Sequence, residues 1–262
     1  MNNKKKKAIL VVSFGTSYPE TRKVTIDAIE ASIQNAYPDY QVYRAWTSKM
    51  ILAILKERDQ IHYPTVTEAF EQMKQDQITD VIVQPTHVIN GIENEQMITD
   101  ALAYSSSFSS IQFGTPLLTT TEDQEYVVDA ILEQFKDLKE NETLVFMGHG
   151  TTHYSNSIYA ALDYMFKQRG HSNIFVGTVE AYPNIDALLP MIQKQNTNHI
   201  ILAPFMIVAG DHATNDMAGD DADSWKQQFL SAGFDVTCVL KGLGEYESIR
   251  KLFVQHIQEV IQ

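Results

Sequence analysis

Three side chains able to hold a divalent cation stand at regular intervals in the second half of the chain. Each follows an apolar run. Leu144 to Met147 leads to His149, set between Gly148 and Gly150; Ile174 to Val179 leads to Glu180; Ile200 to Ala209 leads through Gly210 to His212. Such runs, short and rich in β-branched and aromatic residues, predict buried strands, and the apolar spacing of Tyr159 to Phe166 predicts a helix after the first of them. The three residues lie roughly one βαβ unit apart, about 30 residues. If the strands are parallel neighbours about 4.8 Å apart, their carboxyl ends bring the side chains to one edge of one sheet. Two imidazoles and a carboxylate with open coordination positions suit a catalytic site for a borderline divalent metal, not a closed structural site. A histidine by itself is commonly packed or solvated; three ligand-type residues at three successive strand ends reverse that reading. His149 is also the candidate base, because an imidazole can alternate between accepting a proton and binding a cation.

The elements that would position these groups alternate strand and helix throughout, which predicts parallel sheets with right-handed crossovers. Strands are expected at 8–14, 41–46, 80–84, 111–114, 144–147, 173–179, 199–205 and 234–240. Helices are expected at 20–36, 93–103, 123–138, 155–168, 185–195, 215–230 and 246–261, with others capped by Ser48 and Thr65. The halves share punctuation: Phe14-Gly15-Thr16 parallels His149-Gly150-Thr151, and Pro85 with Gly91 parallels Pro204 with Gly210. That register sets Phe14 opposite His149 and Glu93 opposite His212. The expected fold is therefore α/β, two related lobes, each a parallel sheet flanked by helices, with the active site in the cleft they share. The lobes are drawn at 1–125 and 126–262, the closing helix packing on the first.

Composition excludes several classes. A formal charge of −13 argues against a nucleic-acid partner, and the dense cationic run Lys4 to Lys7 reads as a solvated tail. The single cysteine, Cys238, rules out a disulfide framework and a thiolate cluster. The apolar segment Ala8 to Val12 after those lysines is too short for a secretion signal and no stretch is long enough to span a bilayer, so a cytoplasmic protein without a membrane partner is expected. Neither Phe14 to Ser17 nor Gly148 to Thr151 has the Gly-x-x-x-x-Gly-Lys pattern, which argues against a nucleotide.

The stretches Val12 to Arg22, Tyr43 to Ser48, Thr86 to Glu93, Met147 to Thr151, Val179 to Pro183 and Ala209 to Met217 resemble the anaerobic-pathway sirohydrochlorin cobaltochelatases, class II tetrapyrrole chelatases of cobalamin synthesis. The resemblance runs across nearly the whole chain in matching order. It implies a bilobal fold and ATP-independent insertion of Co²⁺ into sirohydrochlorin with release of two protons. It places His149, Glu180 and His212 at the family's metal-ligand positions and suggests a homo-oligomer. Fe²⁺ or Ni²⁺ suits the same donors. Across the expected cleft, Glu93 is a candidate for attracting the ion or taking the second proton. For the polyanionic tetrapyrrole, the candidates are Phe14, Gly15, Thr16, Ser17, Arg44, Trp46, His87, Gly150 and Thr151, supplying apolar faces, close backbone approach, hydrogen bonds and positive charge. His153 reads as a rim residue, and Asp216 with Asp220, Asp221 and Asp223 as a solvated acidic helix start. A tetrapyrrole or metal carrier without turnover, and a metal-dependent hydrolase, are the rival functions.

Overall fold

Parallel pairing joins every strand of the computed structural model, which describes residues 6–261. Of the expected lysine tail, Lys4 and Lys5 lie outside the described residues. The chain divides into two units, residues 6–119 with 244–261, and Thr120–Leu243. The first begins with β1 (Lys7–Ser13), α1 (Pro19–Val24), α2 (Ile26–Ala36) and β2 (Gln41–Trp46). It continues through α3 (Lys49–Ile54), α4 (Val66–Gln75), β3 (Asp80–Pro85), α5 (Ile92–Leu102) and β4 (Ser110–Phe113). The second holds α6 (Thr121–Gln134), β5 (Glu142–Gly148), α7 (Ser157–Gln168), β6 (Ile174–Thr178), α8 (Ile185–Ile192), β7 (His199–Pro204), α9 (Trp225–Ser231) and β8 (Asp235–Cys238). A last helix, α10 (Glu247–Ile261), belongs to the first unit, where it packs on α2 and β3.

The two sheets have one topology, β2-β1-β3-β4 and β6-β5-β7-β8. The central strands β1 and β5 are apolar on both faces and buried almost from end to end, as parallel strands covered by helices must be. In the first unit Leu10 and Val12 face Phe70 and Met73 of α4 and Met97 of α5. In the second, Val145 and Met147 face Leu188 of α8 and Phe229 of α9, while Phe146 meets Phe135, Phe166 and Phe205 edge-on or stacked. Among the described residues no helix is long and apolar enough to cross a membrane.

Local chemistry explains where the elements depart from their periodicity. The helix expected over 20–36 breaks at Thr25, whose hydroxyl bonds back to the Thr21 carbonyl and whose backbone leaves the helical region. The segment expected as one helix over 215–230 is instead a wide π-turn, Ala213–Met217, an irregular stretch and the short α9, restarted where Ser224 caps the Gln227 amide. Thr120 and Asp123 form a reciprocal capping box, so α6 and the second unit start there.

Candidate metal centre

Parallel register carries the first two side chains of the candidate centre to the same height. Gly148 of β5 lies beside Thr178 of β6, and the pairing runs on past the strand ends: the Val179 amide donates to the Gly148 carbonyl and the Glu180 amide to the His149 carbonyl, each at 2.9 Å. His149 and Glu180 are therefore neighbours on adjacent chain segments. On the other side of β5 the Phe205 amide donates to the Met147 carbonyl at 2.8 Å, after which the chain runs out to Gly210 and enters the π-turn at His212.

His149, Glu180 and His212 converge, with one ligand atom of each within 4.8 Å of the other two. Glu180 lies between the rings: one carboxylate oxygen is 3.8 Å from His149 Nδ1 and the other 3.8 Å from His212 Nε2. The imidazoles meet edge to face with centroids 4.7 Å apart. Metal–ligand bonds of roughly 2.0–2.2 Å put two ligands of one ion about 3–4 Å apart, and the His212 Nε2 to Glu180 separation fits a shared cation. Side-chain exposures of 40%, 53% and 31% for His149, Glu180 and His212 leave the group open to solvent and to an incoming substrate.

One nitrogen of each ring is fixed by a hydrogen bond. His149 Nδ1 lies 2.8 Å from the Gly150 carbonyl and His212 Nδ1 lies 2.6 Å from an Asp216 carboxylate oxygen. Both partners are acceptors, so each Nδ1 donates. His212 Nε2 faces a Glu180 oxygen at 3.8 Å, a separation that leaves room for a cation between them.

The loops that hold these groups need particular residues. Gly150 has φ +85°, and a Cβ there would come within 2.9 Å of Ala181 and Thr178. Asn156 ties the loops together, accepting from the Thr151 amide at 3.0 Å and donating to the Tyr182 carbonyl at 2.6 Å. Thr151's amide is thereby committed to Asn156. His153 caps a short 3-10 turn through Ser155.

Several residues expected to meet the substrate lie in the first unit and have other work. Trp46 is 1% exposed and stacks on Tyr63 with centroids 4.1 Å apart; it is a core ring, and a Cβ at Gly15 would strike it at 2.7 Å. Arg44 is bound by Glu30 at 2.7 Å and by Asp27, over the face of Tyr63. Burial is the largest single influence and opposes its charge, but the hydrogen bonds and charges of Glu30 and Asp27 together outweigh it and hold its pKa above the ordinary value. Both assignments to the tetrapyrrole are corrected: the ring is buried and the guanidinium is neutralised. Thr16 is buried with its hydroxyl accepting from the Tyr18 amide, and His87 is buried with its pKa lowered to about 4 by that burial, the Asn94 side chain opposing. Neither presents a contact surface. Phe14, Ser17 and Glu93 keep exposure, Glu93 on the first turn of α5.

The same backbone bonds recur in the first unit, where the Thr47 and Ser48 amides donate to the Ser13 and Phe14 carbonyls. Phe14 and Ser48 thus occupy the places of His149 and Glu180, and among the described residues the cluster able to hold a cation is the one in the second unit. Asp216 and Asn156 were missed as contributors. The spacing of four from His212 to Asp216 was the available signal for the first; the second had none, since its partners are backbone groups.

Residues 7–262 match the family described as cobalt chelatase (CbiK). The chain is 40% identical over 257 residues to the sirohydrochlorin cobaltochelatase of Salmonella typhimurium, covering 98% of this chain and 97% of that one. It is 31% identical over 263 residues to the sirohydrochlorin cobaltochelatase CbiKC of Nitratidesulfovibrio vulgaris, covering 98% and 91%. Among solved structures it is similar to SirB from Bacillus subtilis with Fe³⁺, at 15% identity and a TM-score of 0.69 over 97% of this chain and 95% of that one, a likeness of fold.

Proposed function

Because the chain belongs to the cobalt chelatase (CbiK) family, we propose that it inserts Co²⁺ into sirohydrochlorin, without ATP, in the anaerobic route to cobalamin. The observation that carries this reading is the convergence of His149, Glu180 and His212 at solvent-reachable strand ends. Insertion requires a partly dehydrated divalent ion, loss of two pyrrole protons and access for a bent macrocycle. Two neutral imidazoles and one carboxylate replace part of the ion's water while leaving positions for pyrrole nitrogens. All three are nitrogen or oxygen donors on exposed side chains, so the ion can leave with the product. A neutral imidazole also offers a lone pair to a proton, and His149, at the glycine-flanked turn, is assigned that role for one pyrrole. The second proton passes to solvent or to a carboxylate.

The test is anaerobic insertion followed by absorbance, with sirohydrochlorin and Co²⁺ in large excess over protein. Product should exceed protein many times over; a plateau at one equivalent would make the protein a carrier. Parallel assays with Fe²⁺ and Ni²⁺ should be slower. His149→Ala, Glu180→Ala and His212→Ala should each reduce turnover at least about 100-fold, with the circular dichroism of the folded chain unchanged.

A further inference from the structure

His212 has a second polar contact that lies outside the three-residue ligand set. Its Nδ1 is 2.6 Å from a carboxylate oxygen of Asp216, while its Nε2 points to Glu180. We propose that Asp216 is a positioning residue for the metal site: it holds His212 as the Nδ1–H tautomer and aims the Nε2 lone pair at the place of the ion. This rests on the reading of His212 as a Co²⁺ ligand.

The backbone makes the contact durable. Ala213 and Met217 of the π-turn are wholly buried, which anchors the turn in the core of its unit and sets His212 and Asp216, each one residue earlier, together on its outer edge. The turn closes where the Gly219 amide donates to the Asn215 carbonyl; a Cβ at Gly219 would lie 2.2 Å from that oxygen. Asp216 differs from the acids beside it. Asp220, 93% exposed, is paired with Lys226 at 2.7 Å, whereas Asp216 is 46% exposed and turned to the imidazole. The two rings are also held unequally, His149 by a neutral carbonyl and His212 by a carboxylate. A charged acceptor makes the stronger hydrogen bond, fixes ring orientation and increases the donor strength of the opposite nitrogen. Removing it frees His212 to rotate and to move its proton to Nε2, where it blocks coordination.

The experiment uses the full chain with nitrogen-labelled histidine and Co²⁺ alone as probe. Long-range proton–nitrogen spectra of the metal-free protein report the His212 tautomer, and calorimetric titration reports Co²⁺ affinity. Asp216→Ala should shift His212 toward Nε2–H and weaken Co²⁺ binding by about 10- to 100-fold. Asp216→Asn retains an acceptor oxygen and should restore the tautomer and most of the affinity. Asp220→Ala removes an equal charge without the contact and should change neither. An unshifted tautomer with unchanged affinity in Asp216→Ala overturns the proposal, as does an equal loss in Asp220→Ala, which would mean bulk attraction, or an affinity loss accompanied by loss of the folded dichroism signal in both Asp216 variants. If His212→Ala leaves Co²⁺ affinity intact, it is the ligand reading itself that fails.

Discussion

His87 and His212 carry the same ring into opposite surroundings. His212 is partly exposed with an acceptor on each side, whereas His87 is buried with only the Asn94 side chain opposing the effect of that burial. Burial lowers the His87 pKa from an ordinary 6.5 to about 4, so the folded protein keeps the ring neutral where the unfolded chain would protonate it. Its contribution to stability is complete above about pH 6.5 and is lost as pH falls through about 4, a change on the order of 3 kcal/mol. Urea unfolding from about pH 7.5 to about pH 4.5 should therefore show a steeper loss of stability in the natural protein than in His87→Gln. Parallel curves would show that His87 is protonated in the fold. Arg44 makes the complementary point about charge: its guanidinium is spent on Glu30 and Asp27, and Arg44→Ala should cost stability by stranding Glu30.

Loops and caps hold the site at the level of the element. Gly150 and Gly170 both have left-handed backbone, φ +85° and +90°, but a Cβ at Gly170 would meet nothing within 4 Å while one at Gly150 would meet Ala181 and Thr178 at 2.9 Å. Gly170→Ala should cost about 1 kcal/mol from backbone conformation alone. Gly150→Ala should cost more in urea unfolding and should also weaken Co²⁺ binding, because the displaced loop carries His149 away from Glu180. Equal costs, with Co²⁺ affinity intact, would show that the loop yields without moving the ligands. At α6 the Thr120 hydroxyl accepts from the Asp123 amide at 3.1 Å, and Thr120→Ala should lower stability by about 1 kcal/mol in the same assay.

On the scale of the whole molecule, the chain leaves its first unit, builds the second and returns. α10 comes back to bury Ile249, Leu252, Phe253 and Ile257 against the first unit, where Thr115 and His256 are joined by a hydrogen bond. Removing residues 244–262 uncovers one face of the first sheet, a loss of several buried side chains at roughly 1.5–3 kcal/mol each. The truncated chain should lose the cooperative unfolding of its first unit, seen by hydrogen exchange in β1 and β3, while the amides of β5 to β7 remain protected. Protection retained in β1 would mean that α2 and α4 suffice to hold that sheet.

Much of this was legible in the amino-acid order because it depends on short-range chemistry. Apolar runs of strand length, the repeated Pro and Gly punctuation and the three ligand-type residues at strand ends predict two parallel-sheet lobes and a donor set, and family motifs across the chain narrow the chemistry. What the order left open was decided by contacts distant in sequence. Trp46 is spent on Tyr63, Arg44 on Glu30, and the Thr151 amide on Asn156, so residues of suitable type near the strand ends are withdrawn into the scaffold. A periodic pattern could not show that 215–230 breaks into a π-turn and a short helix, since Ala213 and Met217 are set by packing under Trp225 and Phe229. Side-chain type limits what a residue can do, and the neighbours that folding brings to it determine whether its polar atoms remain available.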